Sequence, residues 1–467
     1  MNNFLYIIPE IFLALSSMIL LLFGKILNRN TAYLSAFACA VITITIAVFT
    51  YKSGQILIFN SLLKLNLYTH LTQILILILG AIILLMLFFS KYDYSYEFPV
   101  IILFSLFSMI TIIGANDLIS FYLAFELQSI TLYVLACFER KSVYSSEAGV
   151  KYFTLGALSS CIMLYGMSLI YGYTGKTNFT DLTVFFSNYE TLSLGAVLGA
   201  MLILLSICFK ISIAPFHLWA PDVYQGSPTI VTAFFAIAPK ATFVTLLIRL
   251  LSEEFTGMMQ YWQNILIFVS ILSVAISAFG AMQQQNLKRL FAYSAIGHAG
   301  YMLIAIAIGT LESITSAFIY LIIYLISNIG LFSYLVQIDD DSCNIECLAG
   351  LGKKDPIVAF NLSILMLSMA GIPPIAGFFS KFYVLSSLIK FGFINLSVVL
   401  IILSVVACYY YLRVIKVIYF DEGKHKKNAE NRGLLVLSTI PVIINISFFA
   451  YAEKFKKIID LLVHLLK

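Results

Sequence analysis

The chain has 467 residues, of which 61% are hydrophobic and only 11% are charged, and its mean hydropathy is +0.98. A water-soluble globule could not hide so much apolar surface, so the composition indicates a polytopic membrane protein. The net charge of +5 is spread over short segments and does not form the concentrated basic patch of a nucleic-acid-binding protein.

Apolar windows of about 20 residues, long enough to cross a bilayer core of about 30 Å, recur along the whole chain. They predict fourteen membrane-spanning helices, at 4–24, 31–51, 71–90, 98–115, 117–138, 149–174, 193–214, 228–251, 261–282, 288–309, 313–337, 356–389, 392–418 and 433–452. The hydrophilic runs between these windows are short. We therefore expect an all-α membrane protein with a single transmembrane domain over residues 1–467.

Basic residues are unevenly distributed between the two sets of loops. Fifteen Lys and Arg residues follow odd-numbered spans, whereas five, including Arg249, follow even-numbered spans and four lie in the tail. Because basic loops stay in the cytoplasm, this distribution places both termini on the periplasmic side. The segment 453–467 has one apolar and one basic face, which favours an interfacial helix after the last span.

Prolines interrupt two of the predicted spans. Pro215 lies at the end of the seventh span, and Pro373 and Pro374 lie within the twelfth, where each removes a backbone donor. The pattern predicts discontinuous helices 7 and 12. Each is the fourth span of a group of five, spans 4–8 and 9–13, and an odd number of spans inverts the second group in the membrane. The predicted organisation is N-terminal helices 1–3 (1–97), repeat one (98–251), repeat two (261–418), and the last helix and tail (433–467).

Four lysines lie inside or at the edge of the predicted spans: Lys151, Lys210, Lys240 and Lys381. An ammonium at membrane depth costs roughly 3 kcal/mol or more, so it persists only if it is paired, hydrated or titrated for a purpose. Lysine loses its proton readily when it is buried, whereas arginine effectively never does. No arginine is predicted in the middle of a span, which favours proton transfer over electrostatic attachment of helices.

Glu126 is the clear acidic residue in the middle of a predicted span. The protonation of a buried Glu–Lys pair changes with the distance between the partners, and Glu126 and Lys210 could form such a pair. A static ion pair that ties two helices together explains the same residues. Pro215 leaves the carbonyl of Ile211 without its helical donor, and His217 would share the face of Lys210 if the helix continued.

Two further sites allow a functional and a structural interpretation. His298, in the tenth span, could relay protons near neutral pH or could be a hydrogen-bonded packing residue. Lys151 follows Glu147 by four residues, a spacing that also stabilises ordinary helices.

The cysteines and histidines do not form a cofactor motif. Cys343 and Cys347, the one close cysteine pair, lack the further ligands that a zinc or iron–sulfur site needs. The chain also lacks a glycine-rich nucleotide-binding loop. We expect no metal and no cofactor in this chain.

Four separated runs make the chain recognisable: KISIAPFHLWAPDVYQGSP (210–228), Ala238-Pro239-Lys240, LFAYSAIGHAGY (290–301) and AGIPPIAGFFSKFY (370–383). They resemble the antiporter-like membrane subunits of proton-pumping NADH–quinone oxidoreductase, respiratory complex I, over essentially the whole chain. Within that group the chain is most similar to the N type. The L type carries a long lateral helix after the core, and the M type has a glutamate where this chain has Lys381.

The resemblance implies that the chain moves protons, while NADH oxidation and quinone reduction occur in partner subunits that hold FMN, iron–sulfur clusters and quinone. It implies that Glu126 pairs with Lys210, that Lys240 is the central relay and that Lys381 passes the proton onward. The supporting groups would be His217, His298, Glu147 and Lys151. The expected partners are other membrane-arm subunits and the lipid of a bacterial inner membrane. Two alternatives stay open: a subunit of a sodium/proton antiporter or membrane-bound hydrogenase, and a structural scaffold subunit.

Overall fold

The computed structural model describes residues 2–51, 54–187, 193–338, 344–423 and 431–464. Cys343, one member of the close cysteine pair, lies outside these ranges. So do five of the basic residues whose distribution predicted the orientation in the membrane: Lys52, Lys424, Lys426, Lys427 and Lys467.

The described ranges are almost entirely helical. Their α-helices are α1 (Ile8–Phe23), α2 (Arg29–Thr50), α3 (Leu67–Phe89), α4 (Glu97–Gly114), α5 (Leu118–Ala136), α6 (Val143–Thr174), α7 (Phe179–Ser187), α8 (Leu194–Lys210), α9 (Trp219–Gly226), α10 (Thr229–Arg249), α11 (Met259–Met282), α12 (Leu287–Ile308), α13 (Leu311–Ile338), α14 (Leu351–Lys354), α15 (Pro356–Ala370), α16 (Ala376–Lys390), α17 (Ile394–Phe420) and α18 (Arg432–His464). Short 3₁₀ turns flank several of them, and a π-helical turn, Leu250–Glu254, follows α10.

Twelve helical segments in the described ranges are long and apolar enough to cross a membrane. They lie at twelve of the fourteen spans predicted from the sequence, and the remaining two predicted spans form shorter helices. At the seventh predicted span the chain forms the shorter apolar helix α8, and at the twelfth it forms α15 followed by α16. A multi-pass helical membrane protein is therefore confirmed, and the two remaining spans are those predicted to be interrupted, at Pro215 and at Pro373 and Pro374.

Several helices begin at a polar residue that the sequence supplies for this purpose. The side chain of such an N-cap residue accepts a hydrogen bond from a free backbone N–H of the first turn. Residues with this contact are Asn66 before α3, Asp117 before α5, Ser142 before α6, Ser193 before α8, Asn286 before α12 and Asp355 before α15.

Helix α10 lies at the centre of the protein. Every residue of α10 is buried, and the helix packs against α3, α4, α12 and α13. Most of its residues are apolar, so the helix can be buried on every face, and its few charged side chains need buried partners. On the outer surface, by contrast, large side chains such as Phe49 and Ile26 are almost fully exposed, as expected of a surface covered by lipid.

One β-hairpin departs from the predicted all-α fold. Strands β1 (Ile56–Ile58) and β2 (Leu63–Leu65) pair antiparallel in the connection between α2 and α3. Phe59, Asn60 and Ser61 all have positive φ in the turn between them. The sequence indicates only a loop here, because each strand is too short to show an alternating pattern.

Within the described residues, the segment after the last predicted span, 453–464, is not a separate helix. Helix α18 continues unbroken to His464 and packs along α13. The continuous form is favoured because Ala452, Ile459 and Val463 bury their side chains against the protein.

Arg249, counted above as a loop residue, is completely buried at the end of α10. Its Nη2 lies 3.0 Å from Oε1 of Glu254, and its Nη1 donates to the carbonyl of Ile113. The π-helical turn after α10 returns Glu254 toward Arg249. A buried guanidinium needs such a partner, because leaving it unpaired would cost several kcal/mol.

Candidate functional site

Lys210 is the last residue of α8 and is only 3% exposed. Its Nζ donates a hydrogen bond of 2.7 Å to Oγ of Ser129 on α5. The Nζ atom also lies 4.8 Å from the ring centre of Phe125, 5.3 Å from that of Tyr133 and 5.8 Å from that of Tyr152. Ring faces attract a cation where water is excluded. This pocket therefore stabilises a buried ammonium without a directly bonded carboxylate.

Glu126 lies on the same helix as Ser129, one turn earlier. One carboxylate oxygen, Oε1, is buried without a hydrogen-bond partner. The carboxylate is close enough to attract the Lys210 ammonium electrostatically, but within the described structure no ion pair joins the two side chains. The fold thus brings the predicted partners into one region, and the direct contact of Lys210 is with Ser129.

The turn after α8 explains why the seventh predicted span is interrupted. Ser212 has a φ of +60°, and the N–H of Ile213 donates to the carbonyl of Cys208 at 2.9 Å. This bond across six residues, with a left-handed residue before its donor, is the Schellman motif that ends helices. The peptide bond before Pro215 is cis.

The carbonyl of Ile211 is the one that Pro215 leaves without a helical donor. The hydroxyl of Ser212 donates to this carbonyl at 2.6 Å. His217 lies beyond the turn, and its Nδ1 is buried without a partner. Because α8 ends at Lys210, helical spacing does not place His217 on the face of Lys210, and no hydrogen bond between these two described residues is present.

Lys240 lies in the middle of α10 and is 2% exposed. Its Nζ donates to the carbonyl of Ala295 on α12 at 2.7 Å and lies 5.5 Å from the ring centre of Tyr324 on α13. Ala295 precedes His298 by three residues, so the two residues occupy the same face of α12. Lys240 therefore points toward the part of α12 that carries the histidine.

Both ring nitrogens of His298 are hydrogen-bonded to tyrosine hydroxyls. Nδ1 is 2.8 Å from Oη of Tyr320, and Nε2 is 3.1 Å from Oη of Tyr411. The Tyr411 hydroxyl is also 2.5 Å from Oγ of Ser294. Such bonds would hold a packing histidine, and each hydroxyl can also donate and accept a proton.

Lys381 lies on α16 and is 8% exposed. Its Nζ donates to the carbonyl of Ala370, the last residue of α15, at 2.7 Å and lies 5.6 Å from the ring centre of Tyr301. Pro374 deprives this carbonyl of its helical donor. Gly371 has a φ of +83°, and a Cβ there would lie only 2.7 Å from Cδ of Lys381. The second interruption therefore supplies both the acceptor and the space for Lys381.

His298 lies near both Lys240 and Lys381, although no hydrogen bond joins it to either of them in the described structure. It lies within electrostatic range of both Lys240 and Lys381. A cavity of about 20 Å³, which can hold one water molecule, is lined by His298, Tyr411 and Lys381 among others.

Lys210, Lys240 and Lys381 share one chemical feature. Each is buried and donates a 2.7 Å hydrogen bond to a neutral oxygen, and in the described parts of the chain none is ion-paired. A directly bonded carboxylate would fix the charge of a lysine, whereas a hydroxyl or carbonyl acceptor does not. These sites are chemically suited to hold and release a proton.

Lys151 differs from the other three lysines because its side chain is 41% exposed and ion-paired. Its Nζ lies 2.7 Å from Oε1 of Glu147 and 2.7 Å from Oδ2 of Asp222 on α9. Arg289 on α12 binds the other oxygen of Asp222 at 2.6 Å. Helix α6 begins earlier than predicted, at Val143, so Glu147 and Lys151 occupy its first turns. They belong to a surface network that joins α6, α9 and α12.

Sequence reasoning missed the hydroxyl and aromatic groups around the lysines. Some have a recognisable spacing of four residues on one helix face, namely Phe125, Ser129 and Tyr133 on α5, and Tyr320 and Tyr324 on α13. Tyr411 has no such signal, because only packing brings α17 to α12. In the described ranges no cluster of three or more His, Cys, Asp or Glu side chains could hold a metal ion.

Comparison with known proteins gives consistent matches along the chain. The profile of the family described as "NADH:quinone oxidoreductase/Mrp antiporter, TM" matches residues 115–407. The NADH-quinone oxidoreductase subunit N of Wolbachia sp. subsp. Brugia malayi is 54% identical over 98% of this chain and 99% of its own length. Subunit N 1 of Acidiphilium cryptum is 42% identical over 93% of this chain and 92% of its own length.

Solved structures with the same fold come from related membrane complexes. A chain of respiratory complex I from Thermus thermophilus with bound aureothin has a TM-score of 0.82 and 26% identity, covering 96% of this chain and 98% of that one. A chain of the Mrp complex from Dietzia sp. has a TM-score of 0.86 at 18% identity, covering 98% of this chain and 97% of that one, which shows the fold alone. The chain therefore belongs to the NADH:quinone oxidoreductase/Mrp antiporter membrane family and, within it, to the N-type subunits of NADH–quinone oxidoreductase.

Proposed function

We propose that this chain is a proton-translocating subunit of the membrane arm of an NADH–quinone oxidoreductase, with Glu126, Lys210, Lys240 and Lys381 as its relay. The main support for this proposal is that the three buried lysines, Lys210, Lys240 and Lys381, each donate a hydrogen bond to a neutral oxygen. Lys151, by contrast, is bonded directly to two carboxylates, those of Glu147 and Asp222.

The relay would be driven by the distance between Glu126 and Lys210. A closer carboxylate favours a charged Lys210, and a more distant one favours transfer of the proton toward Lys240. In the described structure Lys210 contacts Ser129, so the pair has a separated arrangement available. Movement in neighbouring subunits would set this distance and couple their redox chemistry to proton transfer.

From Lys240 the proton would pass by way of His298 to Lys381. The electrostatic proximity of His298 to both lysines supports this order. His217 would be a supporting group at the first interruption, and Glu147 and Lys151 would support proton supply at the surface of α6.

The arrangement in the membrane belongs to the same proposal. We count fourteen crossings, with α8 and the α15–α16 pair as interrupted spans, and two inverted repeats over 98–251 and 261–418 between segments 1–97 and 433–467. The same left-handed turn ends the helix at both interruptions, at Ser212 and at Gly371, which supports the repeat. Both termini would face the periplasm. Labelling of a terminal cysteine from the cytoplasmic side only would contradict this orientation.

The redox part of the reaction is assigned to other subunits. We propose that FMN, iron–sulfur clusters and quinone are bound by partner subunits and that this chain contributes only proton transfer. The other membrane-arm subunits are its expected partners within the bacterial inner membrane.

The test is alanine substitution of Lys210, of Lys240 and of Lys381 in the assembled complex. Each variant should lose nearly all proton uptake coupled to NADH oxidation in membrane vesicles, because a methyl group cannot carry a proton. Lys390→Ala is a matched control on the same helix as Lys381, since Lys390 is 62% exposed and pairs with Glu312 at the surface. Normal proton uptake in Lys240→Ala and Lys210→Ala, with the complex assembled, would overturn the proposal in favour of a scaffold.

The sodium dependence of proton uptake distinguishes the proposed function from that of a sodium/proton antiporter subunit. Proton uptake driven by NADH should be unchanged when sodium is replaced by choline. A requirement for sodium, with sodium movement opposite to that of protons, would favour a sodium/proton antiporter subunit.

A further inference from the structure

The buried hydroxyl of Tyr411 is unusual because it bonds two groups that can each exchange a proton with it. Tyr411 lies on α17 and is almost completely buried. Its Oη lies 3.1 Å from Nε2 of His298 and 2.5 Å from Oγ of Ser294, both on α12. An oxygen with two such partners can accept a proton from one side while it gives its own to the other.

The position of Tyr411 extends this connection toward Lys381. Tyr411, His298 and Lys381 all line the cavity of about 20 Å³ between α12, α16 and α17. Polar side chains, those of Ser294, His298, Lys381 and Tyr411, are among the residues that line it, and it has room for a single water molecule. One water there could bridge the tyrosine hydroxyl and the lysine.

Nearby tyrosines do not offer the same connection. The Tyr301 hydroxyl donates to the backbone carbonyl of Leu400, which cannot pass a proton on. The Tyr320 hydroxyl bonds Nδ1 of His298 and does not line this cavity. Tyr411 is thus the described tyrosine that joins the histidine to the cavity shared with Lys381.

We propose that the hydroxyl of Tyr411 is a relay group that carries protons between His298 and Lys381, oriented by Ser294. This inference rests on the proposed function, because it needs a proton to arrive at His298. It adds a catalytic side chain, and one positioning side chain, to the second half of the relay.

The transfer is balanced at each atom. The imidazolium of His298 gives its Nε2 proton to Oη of Tyr411, as the hydroxyl gives its own proton to the cavity water. That water passes one of its protons to the unprotonated Nζ of Lys381. His298 ends neutral, Lys381 ends as an ammonium, and Tyr411 and the water are unchanged. The hydroxyl then rotates to restore its starting hydrogen bonds.

The experiment compares two Tyr→Phe variants in vesicles that contain the whole complex. Tyr411→Phe should slow NADH-driven proton uptake about tenfold and raise its solvent deuterium isotope effect, because one step of the transfer loses its carrier. Tyr68→Phe is the matched control: Tyr68 is equally buried, but its hydroxyl donates only to the backbone carbonyl of Thr245, at 2.8 Å. It should stay within about twofold of the parent rate, with the parent isotope effect.

Ser294→Ala gives a second, smaller perturbation that does not depend on tolerance of Phe at position 411. It removes the second partner of the Tyr411 hydroxyl and should slow proton uptake a few-fold, with a raised isotope effect. If Tyr411→Phe does not assemble, a normal rate and isotope effect in Ser294→Ala overturn the inference.

The outcomes also separate this inference from the proposed function. A normal rate in Tyr411→Phe beside a loss in Lys240→Ala would reject the tyrosine relay and keep the function. Equal losses in Tyr411→Phe and Tyr68→Phe, with unchanged isotope effects, would reject the relay as a structural effect. Normal proton uptake in both Tyr411→Phe and Lys240→Ala would reject the function itself.

Discussion

The two helix interruptions have the same backbone turn but differ in what binds the carbonyl that the turn exposes. Ser212 in the first and Gly371 in the second have positive φ, and a cis-proline follows each by three residues. In the first interruption the Ser212 hydroxyl binds the free carbonyl of Ile211. In the second, the Nζ of Lys381 binds the equivalent carbonyl, that of Ala370.

This difference gives the two lysines different surroundings. Lys210 lies before its interruption and within electrostatic range of the Glu126 carboxylate. Lys381 lies after its interruption and is held by a backbone dipole, with no carboxylate bonded to it in the described structure. The free carbonyl is thus occupied by the Ser212 hydroxyl at the first interruption and by the Lys381 ammonium at the second, where glycine has no side chain.

The largest effect is expected at Gly371. Gly371→Ala would put a Cβ 2.7 Å from Cδ and 3.2 Å from Nζ of Lys381, at a φ of +83° that disfavours any side chain. Because Lys381 must move, proton uptake should fall more than about tenfold, while NADH-dehydrogenase activity of the assembled complex with an artificial acceptor stays normal. Ser212→Ala is the control, since that position already carries a Cβ. It should retain at least about half of the parent proton uptake. Comparable losses in both variants would contradict the conclusion that only the second interruption provides space for a lysine.

An intermediate effect is expected at Glu126. Glu126→Gln keeps the size of the side chain but removes the charge that acts on Lys210, so proton uptake should fall about tenfold, equivalent to ~1.4 kcal/mol. Glu10→Gln is a matched control, because Glu10 is another buried carboxylate, bonded to Gln73 on α3 and away from the lysines. The measurement is the rate of NADH-driven proton uptake for each of the two variants, in vesicles that contain equal amounts of the complex. Equal rates in the two variants would mean that Lys210 does not depend on its neighbouring carboxylate.

The smallest effect is expected in the surface network. Asp222→Asn weakens ion pairs with Lys151 and Arg289, which are partly exposed and screened, so stability should change by only about 0–1 kcal/mol. Proton uptake should stay within about twofold, and thermal release of the subunit from the complex should shift slightly. If this variant stopped proton uptake, Lys151 would have to be grouped with the buried lysines rather than apart from them.

Much of the fold could be predicted from the sequence because the bilayer imposes a simple rule. Apolar windows located the membrane helices, and Pro215 and Pro374 located the interruptions, whereas Pro239 and Pro441 lie inside the continuous helices α10 and α18. The β-hairpin and the continuous α18 were missed, because short strands and a helix that docks on the protein depend on distant contacts. Arg249 was misplaced for the same reason: its partner, Glu254, is close only because the chain forms a π-helical turn.

The sequence by itself determined that four lysines and one glutamate would lie in or beside apolar helices, because their cost in the membrane depends only on residue type and depth. Only the tertiary structure separated them. It put Lys151 into a surface ion network and enclosed Lys210, Lys240 and Lys381 with neutral oxygens and aromatic rings. It also joined His298 to Tyr411, because the contact between α12 and α17 brings together residues 113 positions apart. Hydrogen bonds of this kind act over about 3 Å, and no periodicity in a single helix encodes them.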